Sequence, residues 1–509
     1  MQRVVLISRL AKQAGIAETD RYAQFKTKYR NDPAGFIRDC IRWGGGKPTP
    51  YQLEVAGKLP IVKRESVRGP HEIGKTAIAA LVVLWFATTR DGEDWKIPMT
   101  ASVGRQLTHF LLPEVHKWAR RLKWKQIGRG EFDPRTELLD LNLKLKTGRA
   151  FALSSRDPDW IEGAHADHIL WVLDEAKSIA DPIWDAVEGS FMGGSKEALA
   201  LAISTPGDSR GRFWEIQTKK PGYEDWWTRH ITMQEAIAAG RMTVEAVEQR
   251  RCQWGEKSAV FQRRVLGEFA VEDEDSVIPL TWVEQAQERW TQWDEAGRPG
   301  ALTCVSCDVG GGSVGGDQSV VALVYDGGTI GELRKYPVAV DPHLAMMELT
   351  GRIAGVLETQ RPAYTIIDVA GIGAGVVHRL RELGWNVQGF NAAYRTGLTD
   401  VSGELGFLNW RSAMWWIGRE MLQPENEYGV EVKLPPDDQL TGELCSVKLK
   451  RITSASQRQV EAKDEVRKRL GRSTDCADAV LQALAGPALF IEAEDRREIV
   501  YRPKVIAPF

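Results

Sequence analysis

One run constrains this fold more than any other. Ile169-Leu170-Trp171-Val172-Leu173 is apolar at every position and stops on Asp174-Glu175. A strand with one wet face alternates apolar and polar residues, whereas a strand covered on both faces does not. Leu199 to Ile203 is a second continuous run, ending in Ser204-Thr205-Pro206. Two such strands predict a parallel sheet of α/β type with helices on both sides. Upstream, Gly69-Pro70-His71-Glu72-Ile73-Gly74-Lys75-Thr76 fits the G-x-x-x-x-G-K-[ST] pattern, and Thr76 to Ala87 reads as a helix apolar almost all round. The strand before this loop is unusually polar, at Lys63-Arg64-Glu65.

The loop pattern carries a mechanism. Its backbone N–H groups cradle phosphates at a helix N-terminus, Lys75 reaches the terminal phosphates, and Thr76 offers its hydroxyl to Mg²⁺. Asp174 is then expected to hold Mg²⁺ through water, and Glu175 to polarise the water that attacks the γ-phosphate of ATP. Gly69 and Gly74 complete the nucleotide-binding set with Gln52, whose amide suits an adenine edge, and with Tyr51 as a stacking surface. Ser204 and Thr205, at a strand's C-terminal edge, are placed to sense the γ-phosphate. A surface glutamine and a bare turn are the plain alternatives for Gln52 and Ser204-Thr205.

A different order begins near residue 300. Thr303 to Asp308, Ser319 to Tyr325 and Thr329 to Lys335 read as a strand meander, followed by helix, strand Tyr364 to Asp368, and helix. That is the order of a ribonuclease H-like sheet. Asp308 and Asp368 each close an apolar run, and Asp475 and Asp478 stand one helical turn apart in Gly471-Arg472-Ser473-Thr474-Asp475-Cys476-Ala477-Asp478. Each alone reads equally well as a strand end or helix cap. In this order they form the carboxylate set of a two-metal nuclease, whose all-oxygen donors favour Mg²⁺ or Mn²⁺ over zinc. Asp475 is the expected third ligand and Asp478 its support or alternate, while Asp317 reads as structural.

The chain has 509 residues, of which 43% are hydrophobic and 27% charged, enough for two domains with separate cores. Five segments are expected: a helical lead-in over 1–47, an ATPase domain over 48–270, a linker over 271–300, a nuclease domain over 301–487 and a tail over 488–509. Leu139 to Leu145 alternates and returns through Thr147-Gly148 to Ala150–Leu153 as a hairpin inside the first domain. A formal net charge of -2 supplies no global pull toward nucleic acid, so DNA contact must come from local basic surfaces. The longest apolar stretch is too short for a bilayer, and no secretory pattern opens the chain, so a cytosolic protein with reduced thiols is expected. Cys304-x-x-Cys307 lies within a strand run without a second pair and reads as packing.

These residues resemble the large subunit of a tailed-phage terminase. The stretch Trp160-Ile161-Glu162-Gly163-Ala164-His165-Ala166-Asp167-His168 leading to Asp174-Glu175 is similar to that family's ATPase core, as are Gln52 and Ser204-Thr205-Pro206. The closing Gly-Arg-Ser-Thr-Asp run is similar to its nuclease signature, with Thr474 where proline is usual, a change expected to touch no ligand. The resemblance implies a P-loop ATPase domain of the additional-strand type followed by a ribonuclease H-like nuclease. It implies ATP-driven translocation of double-stranded DNA into a procapsid and cutting of concatemers with two Mg²⁺ or Mn²⁺. It also implies a portal protein and a small terminase subunit as partners, a homo-oligomeric ring on the portal, no membrane, and residence in the host cytoplasm with visits to the portal vertex.

Many members of the family carry an arginine four residues before the loop lysine, where this chain has His71. Arg68, Arg149 and Arg156 are therefore candidate arginine fingers, as is an arginine from a neighbouring subunit. The basic run around Lys448, Lys450, Arg451, Arg458, Lys463 and Arg467–Arg472 is a candidate DNA-backbone track, with Lys450, Arg451, Arg458 and Lys463 foremost. Lys117, Arg120, Arg121, Lys123 and Lys125, with Trp118 and Trp124, form a second patch that reads more simply as helix surface. Two rivals remain: a cellular helicase or translocase fused to a resolvase-like nuclease, and a portal-docking component with a vestigial nuclease.

Overall fold

The computed structural model describes residues 20–100, 111–140, 142–153, 165–270, 275–310, 318–337, 341–450 and 457–494. The chain divides into two compact units, Met1–Val247 with Gln262–Val271, and Glu248–Phe261 with Glu272–Phe509. The first unit ends at Val271, beside the expected end of the ATPase domain at 270, while Glu248–Phe261 groups with the second unit. Residues 20–29 are helical, and Phe25 and Tyr29 are buried in the same core as Leu59 and Leu84, so this part of the lead-in belongs to the first unit. Within the expected linker, Leu280–Glu295 is a helix whose Val283 and Ala286 lie in the core of the second unit.

The first unit is built on β1 (Arg64–Arg68), β2 (Trp95–Thr100), β3 (Leu138–Leu139), β4 (Asn142–Lys144), β5 (Gly148–Leu153), β6 (His168–Asp174), β7 (Glu197–Ser204) and β8 (Trp227–His230). Their order is β3-β4-β5-β2-β6-β7-β1-β8. From β5 to β8 every pairing is parallel, and β3-β4-β5 is the antiparallel hairpin edge. All of β6 is buried. Leu170 and Val172 enter the core that holds the helix Lys75–Arg90, and Ile169, Trp171 and Leu173 enter an opposite core with Trp184 and Trp226. That double burial is why the run is apolar at every position. The strand β7 lies between β1, which feeds the glycine loop, and β6, which ends in acid, the arrangement of an additional-strand P-loop domain.

The second unit holds β9 (Leu302–Asp308), β10 (Gln318–Tyr325), β11 (Thr329–Pro337), β12 (Tyr364–Asp368) and β13 (Val387–Phe390), in the order β11-β10-β9-β12-β13. The meander β9-β10-β11 is antiparallel, and β12 and β13 run parallel to β9, which gives a ribonuclease H-like sheet. The helix Asp475–Glu494 packs on β9 and β10. Cys304 and Cys307 are both buried and unbridged, in cores on opposite faces of the sheet, so they serve packing rather than a shared ion. Among the described residues no helix is long and apolar enough to cross a membrane.

Candidate functional site

Each unit gathers its chemistry at the C-terminal ends of parallel strands, where open α/β sheets bind ligands. In the first unit β1 delivers the chain to Gly69, and Gly74 caps the helix Lys75–Arg90 with φ 85, a left-handed conformation natural to glycine. Lys75 is buried, its Nζ donating to the loop carbonyl of Gly69 at 3.2 Å and to that of Pro70. Burial pushes its ammonium down to about 8, against the pull of Glu175 and Asp174. The Thr76 hydroxyl donates to Asp174 Oδ2 at 3.3 Å. Burial, then Glu175, pushes Asp174 up to about 7. Thr76 and Asp174 are oxygen donors of the kind that would hold a divalent ion beside this buried charge.

Glu175 follows at φ 50, a left-handed conformation uncommon for a residue with a side chain, and this turns it back over the strand edge. It accepts a hydrogen bond from the Ser204 hydroxyl at 3.1 Å. The Ser204 carbonyl accepts from Gly69 N–H at 3.3 Å, so the end of β7 touches both the acid and the loop. The Thr205 hydroxyl is buried with no hydrogen-bond partner among the described residues. The geometry therefore brings Gly69, Gly74, Lys75, Thr76, Asp174, Glu175, Ser204 and Thr205 together.

Gln52 and Tyr51 depart from expectation. Gln52 is buried, its Oε1 accepting from Thr49 N–H at 2.9 Å in a capping box and its amide N–H donating to the Gly74 carbonyl at 3.4 Å. The Tyr51 hydroxyl donates to the Ile73 carbonyl at 2.8 Å and its ring is buried. Both side chains brace the glycine loop from behind, because the helix Pro50–Val62 packs against the loop helix. The Gln52 amide is thus engaged with the loop backbone and the Tyr51 ring is enclosed.

The arginine candidates lie in different places. Arg68 ion-pairs with Glu268 at 3.0 Å and lies over the Phe269 ring, which ties it to the 262–271 segment rather than to the loop. Arg149 pairs in register with Lys96 near the N-terminal ends of β5 and β2, the sheet edge opposite the glycine loop. Arg156 lies outside the described residues, as do Trp160–Ala164, Asp317 and Arg451. His71 does not replace an arginine, because burial and then the Arg264 charge hold its imidazole well below the usual range, and hence neutral. Arg264 and Lys177 are cations near the loop that motif reading missed. The Arg264 carbonyl accepts from His71 N–H at 3.0 Å, and Lys177 N–H donates to Ser204 Oγ at 3.4 Å. Arg264 had no local signal, since packing alone brings residue 264 to residue 71, whereas Lys177 follows Glu175 by two residues.

In the second unit β9 and β12 are neighbours, with Cys307 opposite Ile367, so Asp308 and Asp368 end adjacent strands side by side. The helix beginning at Asp475 adds Asp475 and Asp478, both buried. Asp308 is 2% exposed, and burial holds its carboxyl well above the ordinary range. Burial likewise raises Asp368, although its Oδ1 accepts from Ala370 N–H at 2.9 Å. Asp308, Asp368, Asp478, Arg411 and Lys463 line a cavity of about 220 Å³.

Asp478 is committed to the protein. It pairs with buried Arg411 at 2.8 Å, accepts from the Trp415 indole N–H at 3.0 Å, and accepts from the Thr474 hydroxyl at 2.9 Å. Three protein groups thus hold Asp478, and Thr474 is one of them. Lys463 is the larger correction. Its Nζ stands 3.1 Å from Asp308, 3.4 Å from Asp475 and 3.1 Å from Asp478, inside the acidic set rather than on a DNA track. Lys450 pairs with Glu465 at 2.7 Å. Arg458 pairs with Asp400 at 3.0 Å and stacks 3.8 Å from the Trp416 ring centroid. These partners neutralise the two charges within the fold. Among the described residues no three His, Cys, Asp or Glu side chains are arranged to hold an ion as they stand. The all-oxygen donor set is of the kind hard divalent ions take, and the Lys463 ammonium stands in its midst.

No known protein-family profile matches the chain. It is 24% identical over 230 residues to a curated protein named "Probable terminase, large subunit" of Enterobacteria phage P7, a match covering 44% of this chain and 45% of that relative. The chain thus aligns with under half the length of that relative. Among solved structures it is similar to the large terminase of bacteriophage HK97, at 13% identity and TM-score 0.36, covering 89% of this chain and 99% of that one. It is also similar to the nuclease domain of the large terminase subunit gp2 of bacterial virus Sf6, at 15% identity and TM-score 0.33, covering 41% of this chain and 98% of that one.

Proposed function

We propose that this chain is the large subunit of a phage terminase, a motor that hydrolyses ATP to drive double-stranded DNA into a procapsid and a nuclease that cuts the concatemer. The observation that carries the reading is the presence of two independent acidic sites, one facing a glycine loop across a single intervening strand and one joining two strand ends to a helix start. The match to the P7 protein supports the same assignment.

In the ATPase unit the loop N–H groups and Lys75 bind the β- and γ-phosphates, and Thr76 and Asp174 would hold Mg²⁺. Glu175 orients the attacking water and takes its proton, and Ser204, hydrogen-bonded to Glu175, links that carboxylate to the end of β7. In the nuclease unit Asp308, Asp368 and Asp475 would hold two Mg²⁺ or Mn²⁺, with Arg411, Trp415 and Thr474 fixing Asp478 behind them. When bound, those ions supply charge neutralisation for an in-line phosphodiester displacement. The partners on this reading are a portal protein, a small terminase subunit and further copies of this chain in a ring on the portal, met in the host cytoplasm.

The test is plasmid cleavage with Mg²⁺ or Mn²⁺ beside ATP hydrolysis, for wild type, Asp308→Ala and Lys75→Ala. Loss of cutting alone in Asp308→Ala and of ATP hydrolysis alone in Lys75→Ala is expected. Cutting that survives Asp308→Ala refutes the nuclease assignment, and hydrolysis that survives Lys75→Ala refutes the motor.

A further inference from the structure

Lys463 is the first residue of the helix Lys463–Leu470, where the helix dipole disfavours a cation, so its own element does not account for its placement. The acids do. Its ammonium contacts Asp308 from β9 and both Asp475 and Asp478 from the late helix, within 3.4 Å of each. Four carboxylates meet here, and Arg411, the other cation lining the cavity, is committed to Asp478. Lys463 differs from Arg411 in one respect. The Arg411 side chain is 8% exposed and locked among Asp478, Thr474 and Trp415, whereas the Lys463 side chain is 38% exposed. A flexible four-carbon stem reaching in from solvent can also leave.

We propose that Lys463 is a resident counter-cation, its ammonium occupying the space against Asp308 and Asp475 that a divalent ion would take, so that metal loading requires the side chain to swing out. The inference rests on the metal-centre reading of this cluster. Without a counter-ion these buried acids repel one another and disfavour the closed arrangement of β9 and the late helix, and the lysine offsets that cost until metal arrives. Metal affinity is then lowered by the fraction of molecules with the lysine withdrawn. Lys463 thereby acts on the centre's loading rather than as a contact to the DNA backbone.

The experiment titrates Mn²⁺ into the nucleotide-free full chain, follows free Mn²⁺ by electron paramagnetic resonance, and compares wild type, Lys463→Gln and Asp308→Asn. Lys463→Gln is expected to tighten Mn²⁺ binding about tenfold or more, because the competing state is gone. Equal or weaker binding by a folded Lys463→Gln overturns the proposal. Asp308→Asn separates the two readings: if it leaves Mn²⁺ binding unchanged, the metal centre itself is wrong. A second measurement on the wild-type chain needs no variant. Amine-reactive labelling read by mass spectrometry should rise several-fold at Lys463 when Mn²⁺ is added, and labelling that stays level or falls overturns the proposal.

Discussion

Replacing Asp308 with asparagine should stabilise the metal-free second unit at pH 8 while abolishing its cutting, the reverse of what a buried substitution usually does. Asp308 is 2% exposed and its carboxyl lies well above the ordinary range, first through burial and further through Asp478, Asp475 and Asp368, with Lys463 pulling the other way. A raised folded value means that the folded chain holds this proton more tightly than the unfolded chain does. The stability the group contributes is thus fully present below the unfolded carboxylate value, about 4, and is lost as pH rises through the folded value.

Asparagine keeps the shape and never ionises. Lys463 still has Asp475 at 3.4 Å and Asp478 at 3.1 Å. The expected outcome at pH 8 in EDTA is a gain in stability, because a carboxyl that burial and its neighbouring acids hold above the ordinary range no longer has to ionise in place. For a unit of this size that raises Tm by roughly 2–4 °C per kcal/mol. Chemical denaturation at pH 5 and pH 8 supplies the assay, with hydrogen exchange in the helix Trp410–Leu422 assigning the change to this unit. A variant less stable than wild type at pH 8, or a difference that is the same at both pH values, would refute the reasoning.

Three further outcomes follow from the geometry. Arg411→Met leaves Asp478 without its 2.8 Å partner in a buried site and should cost about 3–5 kcal/mol in urea unfolding, and a cost under about 1 kcal/mol would show that Lys463 suffices. Glu175→Gln keeps the side chain's size and its bond from Ser204 but removes the base, so nucleotide should still bind while steady-state hydrolysis falls by about 10²–10⁴. Gly148→Ala would set a Cβ 2.3 Å from the Trp95 carbonyl, where β5 pairs with β2, and should lower stability by about 1–3 kcal/mol in thermal unfolding, with an unchanged Tm counting against the close strand approach.

Sequence alone determined what local pattern can encode. Doubly buried strands must be apolar throughout, so β6 and β7 announced a parallel sheet, and the glycine loop before an all-round apolar helix announced where phosphate would sit. The strand ends at Asp308 and Asp368 were legible for the same reason, since an acid at the end of a buried run marks the sheet's edge. What the sequence withheld was partnership. Lys463 and Asp308 are 155 residues apart, and Arg411 and Asp478 are 67 apart. Lys463 and Arg458 both lie in one basic stretch, yet one neutralises the acid cluster and the other pairs with Asp400. Gln52 read equally as a surface side chain or as a reader of a base, and the packing of the loop helix beside it set its amide on the Gly74 carbonyl. An ion pair depends on a few ångströms between side chains far apart in the chain, a quantity no local pattern carries, so only the tertiary structure decided which charges are free to act.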